Sequence, residues 1–183
     1  EVCKESFMNI VLLEPEIPAN TGNIARSCVA TNTRLHLIEP LGFRISEKHI
    51  KRAAMDYWEK LDYTVYSDIN DFYEKNPAAR EHMYFATTKA HHTYKEVSFN
   101  PDDYIMFGKE SAGIPEEILS ENEDSCIRIP MWGDIRSLNL SNSVAIILYE
   151  SLAQNGFEKM KLTGDLHRLQ YKKNTVNKRT PHR

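Results

Sequence analysis

The sequence predicts an α/β domain whose core is a parallel sheet covered by helices on both faces. Two observations carry that expectation. Apolar runs of strand length recur at 9–13, 34–38, 63–66, 83–87, 104–107 and 126–129, and several are nearly continuous rather than alternating, as strands buried on both faces are. Helical patterns lie between them, and strands that alternate with helices build parallel sheets because each crossover needs length that a helix supplies. The 183 residues suit one such domain, and 41% hydrophobic with 27% charged residues is ordinary for a globular chain.

In chain order, residues 9–13 (Asn-Ile-Val-Leu-Leu) form the first strand. A polar stretch follows over 14–23. Ile24, Cys28 and Val29 at helical spacing predict a helix from Ile24 to Asn32, with Asn20 or Asn23 as its N-cap, a contribution of about 1 kcal/mol. On that placement Arg26 falls in the first turn, where a cation opposes the helix dipole unless an anion lies near. The run 34–38 continues into Glu39-Pro40 and a turn at Leu41-Gly42. Ser46-Glu47 opens a basic helix over 48–54, leading to Met55, Asp56, Tyr57 and Trp58. A third strand over 63–66 precedes a helix over 68–75, started by Ser67 or Asp68 and ended by Asn76-Pro77. Strands 83–87 and 104–107 each end in small or polar residues. A short helix runs from Pro115 to Leu119, and 126–129 is the last strand. The closing helix, from about Ser141, carries Leu140, Val144, Leu148 and Leu152 every four residues with Ile147 beside them, a stripe for core or subunit contact.

Charge divides the chain. Residues 157–183 hold 8 Lys+Arg against 2 Asp+Glu, whereas the other 156 hold 15 against 24. The expected organisation is an N-terminal extension at 1–7, a domain at 8–157 and a basic C-terminal extension at 158–183, which is either a solvated tail or a contact for an anionic polymer. No apolar run approaches the roughly 20 residues of a membrane span and no signal-peptide pattern opens the chain, so the cytoplasm is the expected compartment, with no membrane partner. Cys3, Cys28 and Cys126 lie far apart without a C-x-x-C pair or clustered histidines. They read as free thiols, and no metal site is expected.

Ligands of open α/β sheets gather beyond the carboxyl ends of the strands, which selects the loops at 14–23, 87–89, 108–113 and 131–139. The Gly108-x-x-x-x-Gly113 spacing lacks the Lys-Ser/Thr of a phosphate loop, and no G-x-G-x-x-G or G-x-S-x-G occurs. Those glycines suit either turn geometry or close approach to a ligand. Glu110 either accepts from a ligand or sits near a helix start. Lys48, Lys51 and Arg52 read as a wet helix face or, with Arg26 and Arg44, as a phosphate-binding strip. His91 and His92 read as surface loop residues. The loop at 131–139 is unusually polar for a connection between two buried elements, and it either folds on itself or wraps a ligand.

Three of these loops together resemble a known set. Asn20-Thr21-Gly22-Asn23-Ile24-Ala25-Arg26, then Phe107-Gly108-Lys109-Glu110-Ser111-Ala112-Gly113-Ile114-Pro115, then Ile127-Arg128-Ile129-Pro130-Met131 through Arg136-Ser137-Leu138-Asn139-Leu140-Ser141-Asn142 are similar, in order and spacing, to motifs 1, 2 and 3 of the SPOUT-class RNA 2′-O-ribose methyltransferases. The opening from Glu14 to Asn23, with Arg52-Ala53-Ala54-Met55-Asp56-Tyr57, resembles the subfamily that methylates the wobble ribose of certain leucine tRNAs. The resemblance implies a deep C-terminal trefoil knot, a homodimer, and S-adenosylmethionine as methyl donor with S-adenosylhomocysteine as product. It implies 2′-O-methylation of the wobble cytidine or modified uridine of leucine tRNA; the alternatives are another tRNA or rRNA site, or a catalytically silent RNA-binding knot protein. By similarity the cofactor lies against Ala86, Thr87, Gly108, Ile129, Met131, Ser137 and Leu138. Arg26 takes the family's catalytic position, Asn20, Glu110, Asn139 and Ser141 its other polar positions, and Arg26, Arg44, Lys51 and Arg52 are the expected RNA contacts. A methyl group already activated by sulfonium needs only in-line positioning and removal of a proton, with no metal. Arginine stays protonated in water, so Arg26 is expected to polarise the ribose hydroxyl, hold the adjacent phosphate or, if strongly perturbed, act as the base, and the proton acceptor stays open.

Overall fold

The computed structural model describes residues 8–45 and 55–171. Lys48, Lys51, Arg52 and the basic helix expected over 48–54 lie outside the described residues. The described elements are β1 (Asn9–Leu13), α1 (Pro18–Thr31), β2 (Arg34–Ile38), a 3-10 segment (Met55–Lys60), β3 (Tyr63–Tyr66), α2 (Ile69–Lys75), a second 3-10 segment (Pro77–Arg80), β4 (Met83–Ala86), β5 (His92–Thr93), β6 (Tyr104–Phe107), α3 (Glu116–Ser120), a third 3-10 segment (Glu123–Ser125), β7 (Cys126–Arg128) and α4 (Leu140–Gln154). Seven strands form one sheet in the order β3-β2-β1-β6-β4-β7-β5, and every pairing is parallel. β6 inserts between β1 and β4, so four neighbouring strands, β1, β6, β4 and β7, send their carboxyl ends to one place.

Both faces are covered, as continuous apolar strands require. Ile10 and Leu12 of β1 pack with Ile24 and Cys28 of α1 and with Val144, Ile147, Leu148 and Leu152 of α4. The alternate residues Val11 and Leu13 pack on the opposite side with Phe72 of α2, Met106 of β6 and Leu119 of α3. Asp68 caps α2, accepting from the backbone of Asn70 and Asp71 at 2.8 and 2.9 Å, as the sequence predicts. Cys28 and Cys126 are buried free thiols, and burial pushes both thiols up. Among the described residues, no helix is long and apolar enough to cross a membrane and no cluster of His, Cys, Asp and Glu could hold a metal ion.

Two expectations are corrected. The first helix begins at Pro18 rather than Ile24, with Ile17 at the cap and no side-chain cap. Pro18 begins the helix because the first turn has no use for its missing N–H. Asn20 is therefore an internal first-turn residue and neither it nor Asn23 is the N-cap, and Arg26 sits in the third turn, beyond reach of the amino-terminal dipole. His92, expected in a loop, pairs with Ile127 in a two-residue edge strand, too short to leave a periodic signal. His91 stays at the surface beside Glu123 at 2.8 Å.

One buried polar chain crosses the sheet edge. His36 lies 2.8 Å from the Tyr66 hydroxyl and 3.1 Å from Asn9 Oδ1. Asn9 donates its amide toward the Asp102 and Asp103 carbonyls, so its oxygen must accept from His36 Nε2–H. Asn76 donates to the Tyr66 oxygen at 3.1 Å, which leaves the Tyr66 O–H to donate to His36 Nδ1. That arrangement uses a neutral imidazole, and burial lowers the His36 pKa to about 3. Between the unfolded value near 6.5 and about 3, the unfolded chain binds a proton that the folded chain does not. Stability is therefore complete above pH 6.5 and falls as pH drops, by about 1.4 kcal/mol per pH unit from this group. Urea titrations of wild type and His36→Gln over that range test it: the wild-type slope should exceed the variant's.

Candidate active site

The four neighbouring strand ends enclose a cleft of about 560 Å³. Its walls come from the loops after β1, β4, β6 and β7, the same four that the sequence selects. All seven residues expected to hold a cofactor line it: Ala86, Thr87, Gly108, Ile129, Met131, Ser137 and Leu138. Asn20, Glu110 and Asn139 line it too, together with Ile17, Thr88, Lys89, Lys109 and Arg136.

A chain of hydrogen bonds joins three of these loops. Glu110 accepts from the Glu16 backbone at 2.8 Å, the Ile17 backbone at 3.2 Å and Asn20 Nδ2 at 3.0 Å. Asn20, 6% exposed, accepts on Oδ1 from Asn139 Nδ2 at 3.0 Å. Asn139 in turn caps α4, its Oδ1 accepting from the Ser141 and Asn142 backbone and the Ser141 hydroxyl at 2.9, 3.3 and 2.7 Å. A carboxylate at one end only accepts, and the amides of a helix start only donate. Both asparagine orientations follow without ambiguity. Glu110 thus belongs to the start of α1, not to that of α3. Ser141 is held in the α4 cap and does not line the cleft.

Further links tie the β1 and β6 loops. Lys109 pairs with Glu14 at 2.8 Å, and Glu16 accepts from the Ser111 backbone and hydroxyl at 2.8 and 2.9 Å. Those bonds to Ser111 hold the Glu16 carboxyl below the usual carboxylate range. Nothing local in the sequence reports these pairings, whose partners lie 95 residues apart. Gly108 is the position where absence of a side chain matters: a Cβ there would lie 2.0 Å from the Gly113 carbonyl carbon and 2.2 Å from the Ile114 nitrogen. Gly108→Ala must push backbone apart, and overpacking costs about 3 kcal/mol. The melting midpoint should fall by roughly 6–12 °C, and an unchanged midpoint in a calorimetric scan would refute the packing.

Arg26 stands apart. It is exposed on α1, six residues or about 9 Å along the axis from Asn20, and it is not among the cleft-lining residues. Its guanidinium lies 5.3 Å from the centre of the Tyr57 ring. Arg44 is also exposed and away from the cleft.

Comparison with known proteins places this geometry. The model of the SpoU rRNA methylase family matches residues 8–149. A tRNA (cytidine(34)-2′-O)-methyltransferase of Escherichia coli strain K12 is 45% identical over 153 residues, covering 82% of this chain and 96% of that protein. A solved structure described as giving insights into 2-OH methylation of C/U34 on tRNA is 37% identical, with a TM-score of 0.75, covering 82% of this chain and 97% of its own. The SpoU methyltransferase AviRb of Streptomyces viridochromogenes, solved with the cofactor AdoMet, is 20% identical with a TM-score of 0.74, over 88% of this chain and 63% of that one, and shows the fold alone.

Proposed function

The chain belongs to the SpoU rRNA methylase family, and from that membership we propose that it transfers a methyl group from S-adenosylmethionine to the 2′-oxygen of the wobble nucleotide, a cytidine or modified uridine, of leucine tRNA. Its fold is the α/β knot of that family. The observation that carries the reading is the cleft, where all seven residues implied for the cofactor meet the Glu110–Asn20–Asn139 chain.

The residues present fit the cofactor. A cleft of about 560 Å³ is ordinary for a ligand of nucleoside size. Ala86, Ile129 and Leu138 offer apolar walls to an adenine, and Thr87 and Ser137 offer hydroxyls to a ribose. When bound, S-adenosylmethionine supplies a methyl group already activated for displacement. The chain's own work is to orient the ribose hydroxyl in line and to assist loss of its proton. Asn139 and Asn20 hold the loops in register, and Arg26 polarises the hydroxyl or clamps the neighbouring phosphate.

Arg26 can do so only if it reaches a cleft, and its own lies elsewhere. Exposed residues of α1 (Ala19, Asn23, Arg26, Ala30) and of the adjoining α4 (Asn142, Ile146, Tyr149, Ala153) both follow an i, i+4, i+7, i+11 stripe. Ile146 and Tyr149 are 37% and 44% exposed. We place the homodimer contact there, with Arg26 of one protomer serving its partner's cleft. Tyr57 then matters as the support of Arg26: Tyr57→Leu should lower kcat several-fold and Tyr57→Phe should not, since a cation–π contact is worth about 0.5–2 kcal/mol and needs only the ring. Equal rates in both variants would remove Tyr57 from that role. The catalytic unit is assigned to 8–157, acting in the cytoplasm, with the basic 158–183 as an appended segment.

The reaction is tested by incubating the protein with labelled S-adenosylmethionine and total tRNA from a strain lacking the activity, followed by nucleoside mapping. Label on the wobble ribose is expected. Label on a base, on rRNA only, or none at all overturns the assignment.

A further inference from the structure

The loop between β7 and α4 does two things at once. Its inner residues, Met131 and Arg136 to Asn139, line the cleft. Its outer residues carry the most exposed large apolar side chain of those described, Trp132 at 93%, with Ile135 at 59%. The other tryptophan, Trp58, packs against the core. Gly133, directly after Trp132, has a φ of +59° and open space where a Cβ would stand.

The cations around the cleft sharpen the point. Lys89 is paired with Glu116 at 2.6 Å and Lys109 with Glu14 at 2.8 Å. Arg136 is the cleft-lining cation that forms no ion pair among the described residues. A free guanidinium four residues from an exposed indole, on the rim of a cleft that receives a nucleotide, is the pairing by which proteins hold single-stranded RNA: a base stacks on the aromatic face and a phosphate meets the cation.

We propose that Trp132 is a stacking platform for an unpaired base next to the reacting nucleotide of the RNA, with Arg136 meeting an adjacent backbone phosphate. The proposal rests on the methyl-transfer reading for the class of its ligand, but its test does not need turnover. An aromatic platform depends on the ring and not on apolar area. Leucine at this position therefore fails where phenylalanine succeeds, which separates stacking from hydrophobic cover by a second copy of the chain.

The experiment measures the Kd of the full-length protein, saturated with S-adenosylhomocysteine, for an RNA hairpin carrying the leucine anticodon loop. Wild type, Trp132→Phe, Trp132→Leu and Arg136→Gln are compared, with sedimentation and S-adenosylmethionine affinity measured in parallel. Trp132→Leu should weaken RNA binding about tenfold and Trp132→Phe by less than about threefold. Arg136→Gln should lower the dependence of log K on log salt by about 0.7. Cofactor affinity and sedimentation should not move in the Trp132 variants. RNA affinity unchanged in Trp132→Leu overturns the platform, as does a loss that accompanies dissociation to monomers or an equal loss of cofactor affinity. If wild type methylates no tRNA while the Trp132 variants still lose RNA affinity, the reaction is wrong and the platform stands. If wild type methylates and Trp132→Leu binds normally, the platform is wrong and the reaction stands.

Discussion

Arg26→Ala is expected to lower the single-turnover methylation rate by about 10²- to 10⁴-fold, the range that a positioned proton-transfer or polarising group contributes. S-adenosylmethionine affinity should stay near wild type, because Arg26 is exposed on α1 and absent from the cleft lining. Arg26→Lys keeps the charge but loses the planar fork that grips a phosphate through two bonds, and should recover only part of the rate. Mixed dimers of the homodimer proposed above decide where the side chain acts. When Arg26→Ala is paired with a protomer whose cleft is blocked by Ala86→Trp, the first protomer keeps an open cleft and the second keeps its arginine. Action across the interface restores up to half of wild-type turnover, whereas action within one protomer leaves the mixed dimer inactive. An undiminished single-turnover rate in Arg26→Ala alone would refute the role altogether.

What could be read from the sequence divides by the range of the interaction. Strands such as 9–13 and 104–107 are legible because burial on both faces writes itself as a continuous apolar run, and Asp68 because a cap is a local contact. The start of α1 lies six residues before the position that periodicity predicts, for the opposite reason. Pro18, Asn20 and Gly22 look like loop residues, and what stabilises that first turn is Glu110, some 90 positions later. No periodicity reports such a bond. The insertion of β6 between β1 and β4 is equally silent, since topology is a property of pairing and not of any one strand. Motif similarity filled that gap: it named the seven cleft residues that the fold then brings together, though it could not show that Arg26 and Ser141 stand outside the lining.

Asn139→Asp should be nearly as damaging as loss of Arg26, although it changes one atom and preserves a good helix cap. The hydrogen-bond chain from Glu110 through Asn20 to Asn139 has a polarity set at both ends: a carboxylate accepts at Glu110, and the start of α4 donates into Asn139. A carboxylate in place of the Asn139 amide still accepts from α4 but has nothing to donate to Asn20. Rotating the Asn20 amide moves the conflict without removing it, since its oxygen would then face Glu110. One acceptor–acceptor contact is unavoidable around a buried residue, at a cost of about 1–3 kcal/mol. The three cleft loops lose their common tether, and misplacement of about 1 Å in such a site costs on the order of 10²-fold in rate. A proton on either carboxylate restores a donor. In the folded variant the new carboxyl should therefore have a raised pKa, so its destabilisation is greatest at neutral pH and shrinks as pH falls through that value. Urea titrations of wild type and Asn139→Asp at pH 7 and pH 5 measure this, after subtraction of the wild-type change that His36 contributes. A penalty independent of pH would mean that the damage lies in the α4 cap and that the chain of amides does not align the cleft.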